Sequence, residues 1–167
     1  MNKMLCLLIL LVFIQQISTY SRDGGVQYAR DHCHNINHQC GYYTDCTPCS
    51  YWGSEHCGYG GNGGDCANFV SQCMHAGGQS FDGCGSRDNK GMLPGVAGLK
   101  SCLSSKGWKS YRSKPNNFRA GYPIFLKSGS HAMLATGVSG GNIIFCAHTN
   151  DRCDASISAG SVDFYSL

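Results

Sequence analysis

Residues 63–78 read "GGDCANFVSQCMHAGG". Between the glycine pairs, Cys66, Phe69, Val70, Cys73 and Met74 recur near i, i+3, i+4 and i+7, the period of an amphipathic helix. Asp65 stands where an N-cap belongs, and Gly77-Gly78 is a stop signal. The pattern predicts a helix over 66–76. Cys66 falls in its first turn, where unpaired amide N–H groups and the helix dipole favour negative charge. A thiol there is expected to titrate low and to act as a nucleophile. The preceding glycines leave room for a substrate, and the amides can hold the oxyanion of a tetrahedral intermediate. Position alone leaves a second reading open, that Cys66 is half of a disulfide. Cys73, two turns on along the same face, is expected to be a disulfide staple.

Working outward, residues 1–21 read as a signal peptide. Lys3 supplies a positive start, Met4 to Ile14 an apolar run too short for a comfortable span, and Ser18, Thr19 and Ser21 small or polar residues for cleavage. Residues 22–167 then form one domain, soluble and without stable membrane insertion after signal removal, with no repeat or linker. A secreted or endolysosomal location follows, and with it an oxidising environment. The sequence has 12 cysteines, and loss of Cys6 leaves an odd number. At least one thiol thus lacks an intramolecular partner. With Cys66 free, the other ten suffice for five bridges whose pairing the sequence does not choose. Cysteines crowd a loop-like insert at about 33–57, where disulfides compensate for missing regular structure.

Residues 22–32 suit a short opening helix, and a further helix starts at Pro94 and ends at Gly107. Strands are expected at 108–111, 122–126, 131–138, 142–148 and 162–165. Gly140-Gly141 is a two-residue hairpin signal joining the third and fourth. Helices followed by strands indicate an α+β fold with an antiparallel sheet. In that hairpin Ser139 opposes Asn142, and the same register places His131 opposite Asn150 and His148 opposite Met133. Side chains alternate along strands, so His131, His148 and Asn150 fall on one face. Two imidazoles and an amide suit a general base with an orienting group.

Several classes are excluded or disfavoured. The net charge of +3 is scattered. The modest cluster Lys106, Lys109, Arg112, Lys114 and Arg119 reads as a solvated face with a weak pull on anionic polymers. No basic helix or aromatic–basic interleaving suggests nucleic acid. Cys33, His34, His38, Cys40, Cys46 and Cys49 match no zinc spacing closely, so no metal or other cofactor is expected. No carboxylate pair points to glycosidase chemistry.

The first block resembles the nucleophile segment of the putative amidase domain family, a GGDC-x-NFVSQ helix. That family is similar to NlpC-like cell-wall cysteine peptidases with a papain-like core. "SGSHAMLATGVSGGNIIFCAHTNDR" resembles the family's histidine strand, turn and "HTxDR" strand, and "VQYAR" its opening helix. The resemblance spans roughly residues 24–157. Tyr122 in "GYPIF", where the family often has Gly-Asp, and the insert at 33–57 depart from it. It implies a nucleophile helix packed on a C-terminal antiparallel sheet, with Cys66 as nucleophile, His131 as base and His148 as third member, Asn150 competing for that last place. The implied activity is amide hydrolysis through a thioester, on peptide bridges of bacterial peptidoglycan or another amide. Two alternatives remain: a disulfide-rich binding module with an inactive site, and an acyltransferase on the same fold. Oligomeric state is not legible.

Overall fold

The computed structural model describes residues 20–34, 65–87, 91–129, 131–148 and 152–167. The first helix, α1, spans Arg22–His32, and the Ser21 side chain caps it by accepting from the Gly24 amide at 3.2 Å. Tyr20 and Ser21, assigned above to the leader, are built into this domain. The Tyr20 hydroxyl donates to the Gly121 carbonyl, its ring packs edge-on to Trp108, and the Ser21 amide donates to the Gly77 carbonyl at 2.7 Å. Both residues pack against the helix at 66–76 and the strand region. Gly77 is required here, since a Cβ on it would lie 2.5 Å from both the Ser21 carbonyl oxygen and the Tyr20 ring. The remainder of the expected leader, and the insert beyond His34, lie outside the described residues.

Helix α2 spans Cys66–Ala76, as its periodicity predicts. It is buried on every side from Cys66 through Met74, the mark of a core helix rather than an amphipathic surface one. Its interior polar groups are satisfied. Ser71 donates to the Asn68 carbonyl at 2.8 Å and accepts from the Leu93 amide at 3.1 Å. Helix α3, Val96–Ser105, starts two residues after Pro94, and Gly107 at φ 90° follows its end.

Six strands follow: β1 Lys109–Tyr111, β2 Pro123–Leu126, β3 Ala132–Ser139, β4 Asn142–Ala147, β5 Arg152–Ser158 and β6 Val162–Ser166. They form one antiparallel sheet in the order β1-β6-β2-β3-β4-β5, so the fold is α+β. Strand β5 was not anticipated. It is an edge strand whose half-buried residues are only Cys153, Ala155 and Ile157, too short an apolar alternation to stand out.

The link from β5 to β6 forces the sheet to curl. A 3-10 turn, Ala159–Ser161, is all that joins them. Four residue steps reach at most about 14 Å, whereas four strand spacings in a flat sheet measure about 19 Å. The sheet therefore rolls, and its two faces do different work. One face, with Phe125, Ala132, Leu134, Cys146 and Tyr165, packs under the helices. The other, with Ile124, Met133, Ile143, Phe145, Val162 and Phe164, closes on Phe118 inside the curl.

Two disulfides are present among the described residues, Cys33–Cys153 and Cys84–Cys102. The first closes 120 residues and ties the end of α1 to β5. Loop-closure entropy makes such a bridge worth about 4–5 kcal/mol. Cys73, expected to be a staple, is a free thiol, and so is Cys146. Both lie fully buried between α2 and the sheet. Packing rather than cross-linking accounts for them, and the expectation of five bridges with Cys66 alone left over does not hold. No helix among the described residues is long and apolar enough to cross a membrane.

Candidate functional site

Cys66 opens α2, is not disulfide-bonded, and keeps 8 % of its surface exposed. The backbone amides of Ala132, Ala67 and Cys66 itself lie close enough to act on its sulfur. Those three contacts favour the thiolate. Burial acts the other way and is the strongest influence, and the neighbouring Asp65 carboxylate adds to it, so the thiol titrates above its ordinary 9.0. The helix-start expectation of a lowered value is thus reversed. A helix terminus stabilises an anion where solvent still reaches it, and here desolvation outweighs the amides.

Asp65 occupies the N-cap position, but its carboxylate accepts no hydrogen bond from the amides of the first turn. It turns instead to His148, whose Nδ1 lies 2.8 Å from Asp65 Oδ2. The other ring nitrogen, Nε2, donates to the His32 carbonyl at 3.0 Å. A carbonyl only accepts, so Nε2 carries hydrogen, and the imidazole–carboxylate contact shares a single proton. Asp65 is 2 % and His148 0 % exposed, and Phe69 stacks on the imidazole with centroids 3.9 Å apart. The His148 ring therefore joins three elements: the end of α1, the start of α2 and the end of β4.

This arrangement depends on a β-bulge. The hairpin begins as predicted, with Ser139 opposite Asn142 and Gly137 opposite Ile144, but Thr136 is then skipped, and Ala135 opposes Phe145. One extra residue moves everything beyond it to the other face. Continuing from Leu134 opposite Cys146, His148 comes opposite Ala132 instead of Met133. It thereby leaves the curled interior and meets the helices. A second irregularity faces the first across β4. Asp154, at φ 48°, receives the Thr136 hydroxyl and the Arg30 guanidinium, the latter at 3.0 Å. The predicted cofacial trio is corrected accordingly, since His148 bonds Asp65 and the His32 carbonyl rather than orienting His131. Asn150 lies outside the described residues.

His131 immediately precedes β3, one residue before the amide on the Cys66 sulfur. Its carbonyl accepts from the Leu126 amide at 3.0 Å. Partial burial lowers its imidazole below 6.5. Among the described residues no hydrogen bond joins His131 to Cys66. The structure thus sets the backbone of Ala132, the neighbour of His131, at the Cys66 sulfur, and ties the His148 ring to Asp65 and the His32 carbonyl.

Sequence reasoning missed the polar chain behind the nucleophile. The Tyr28 hydroxyl donates to Gln72 Oε1 at 2.9 Å, and Gln72 Nε2 donates to Asn68 Oδ1 at 2.6 Å. A signal existed, because Asn68 and Gln72 stand one helical turn apart on a helix otherwise apolar, where buried amides must be paired.

One group of metal-capable donors comes together among the described residues, Cys33, His34 and Cys153. Its two sulfurs are joined to each other and so are not thiolate ligands. His38, Cys40, Cys46 and Cys49 lie outside the described residues.

Residues 19–125 match the family profile described as putative amidase domain. That match contains Cys66 and stops short of both His131 and His148. One solved structure, titled "The crystal structure of Ly7917", superposes with a TM-score of 0.50 at 14 % identity, over 87 % of this chain and 62 % of its own. At that identity the likeness concerns the fold. This chain spans somewhat under two thirds of that protein's length. No curated protein matches the sequence.

Proposed function

The chain belongs to the putative amidase domain family, and from that premise we propose that it is a secreted cysteine hydrolase of amides, acting on peptide bridges of bacterial peptidoglycan. The observation that carries the cysteine mechanism is the unpaired Cys66 thiol at the start of a buried helix, with the Ala132 amide on its sulfur and His131 next in the chain. The peptidoglycan substrate rests on the resemblance of residues 63–78 to cell-wall cysteine peptidases.

In this reading the resting pair is neutral, thiol and imidazole, because burial disfavours the charged form of each. As substrate brings the pair together, His131 accepts the thiol proton and the Cys66 sulfur attacks the amide carbon. The oxyanion forms near the amides of the first turn. The C–N bond breaks as His131 returns its proton to the leaving amine, leaving a thioester. His131 then takes a proton from water, hydroxide adds to the thioester, and the C–S bond breaks with reprotonation of Cys66. The Asp65–His148 pair takes no part in the proton path. It anchors the helix start against the sheet, and the Asp65 carboxylate adds to the burial that keeps the resting thiol protonated.

The test is release of amines from peptidoglycan fragments by the native protein and by Cys66→Ala. Loss of release with unchanged circular dichroism is expected. Full activity in the variant would sink the mechanism.

A further inference from the structure

Charge is divided along the chain. Residues 89–150 hold eight Lys and Arg and no Asp or Glu, whereas the rest of the sequence holds five against ten. A hydrated surface needs no such separation, because mixed signs serve it equally well. A segment of one sign raises the local concentration of anions around it.

The fold gathers part of that segment at one edge of the sheet. Strand β1 has a partner on one side only, so Lys109, Arg112 and Lys114 lie along the open edge and the turn beyond it, all exposed. Their intervals of three and two residues span at most about 10 and 7 Å. Lys127, also exposed, joins them from the next strand but one. Arg112 continues β1 past Tyr111, which pairs with Phe164, and so comes opposite Asp163. Lys127 follows Leu126, which pairs with Val162, and its amide donates to the Ser161 carbonyl at 3.2 Å. Tyr111, Leu126, Val162 and Phe164 belong to the curled interior, so alternation turns Arg112, Lys127 and Asp163 to the opposite face. Those three line one recess of about 190 Å³, room for a single oxyanion group rather than a whole ligand.

The cations are not neutralised in place. Lys109, Arg112, Lys114 and Lys127 form no ion pair among the described residues. The Lys127 ammonium donates to the Gly160 carbonyl at 2.7 Å, which fixes it without cancelling its charge. Guarding an open edge against strand pairing accounts for Lys109, but Lys127 follows an interior strand. Two cations against Asp163 leave the recess one positive charge, matched to a singly charged oxyanion, and a guanidinium fork suits such a group. The flanking lysines extend the match to further charges on the same molecule. Tyr111 packs into the curled interior and leaves no ring here for base stacking. The large hydrophobics exposed among the described residues are Val138 and Leu167, too few for a lipid-inserting face.

We infer that this edge is a docking face for a linear polyanion with one oxyanion per repeat, Arg112 and Lys127 clamping one charge while Lys109 and Lys114 hold its neighbours. Docking there needs no approach to Cys66 and stands independently of the hydrolase reading. The native protein is titrated with fluorescently labelled polyphosphate and poly-glutamate at several salt concentrations, and with inorganic phosphate, single-stranded DNA and phosphatidylserine vesicles. At least one of the two polymers is expected to bind, and the tighter of them assigns the oxyanion as phosphate or carboxylate. Four contacts give log K against log salt a slope of about −3. Arg112→Gln and Lys127→Gln should each weaken binding about fivefold and reduce that slope by about 0.7. Arg152→Gln removes the same charge from the far end of β5, and should leave affinity within about twofold.

No binding of either polymer, or a slope near zero, would overturn the docking face. An equal loss in Arg152→Gln would reduce it to overall charge. Inorganic phosphate binding as tightly as the polymers would leave a single-ion site in its place. Tighter binding of DNA or vesicles than of both polymers would overturn the choice of partner.

Discussion

The two histidines at the adjoining ends of β3 and β4 sit one strand apart and have opposite surroundings. His148 is fully buried, stacked on Phe69, with both ring nitrogens engaged. His131 is partly exposed, and its ring has no hydrogen bond among the described residues. A ring whose two nitrogens are committed cannot shuttle a proton without breaking structure, whereas a ring with a free nitrogen can. Two imidazoles that look interchangeable in sequence thus divide into a brace and a candidate base.

Substitution can break this comparison most sharply at His131. His131→Ala should lower kcat by about 10²–10⁴-fold with little change in thermal midpoint. Equal activity in the variant would remove His131 from the mechanism. His148→Ala should act the other way round. It leaves the buried Asp65 carboxylate without its imidazole, at a cost of about 3–5 kcal/mol, seen in urea unfolding. A variant as stable as the native protein would show that the contact braces nothing.

Smaller effects sharpen the contrast. Asp65→Asn removes a negative charge that raises the Cys66 thiol. The midpoint of its alkylation rate against pH should therefore move to lower pH. An unmoved midpoint would leave burial as the sole upward influence. For His131, burial disfavours the cation, so the neutral base persists on acidification. The acid limb of kcat/KM should have its midpoint below pH 6.5. A limb above that value would assign it to another group. Native alkylation should label Cys66 ahead of Cys73 and Cys146, which are fully buried.

Much of the fold was legible because its signals are local. Helix α2 is given by period and flanking glycines, and the hairpin by Gly140-Gly141. Five of the six strands of the sheet fell where hydrophobic runs placed them. Strand β5 escaped because an edge strand needs few apolar residues. Thr136 escaped for a deeper reason. A bulge is selected by tertiary partners, here Asp154 and Arg30, more than 15 residues away along the chain, and the hairpin itself carries no mark of it. That one residue decided the face of His148. Asp65 was read correctly in position but not in direction, since its partner lies 83 residues on. Cys66 was found by its place on the helix, while its ionisation depended on burial that only the packed sheet supplies.

The Cys33–Cys153 bridge makes most of the chain a covalent ring. Any single peptide-bond cut between those two cysteines opens the ring without separating the pieces. A protease can therefore nick this protein and leave its mass almost unchanged on a non-reducing gel, the fragments parting only when a thiol reductant is added. In an environment rich in proteases but poor in reductants, such a molecule outlives its own intact backbone.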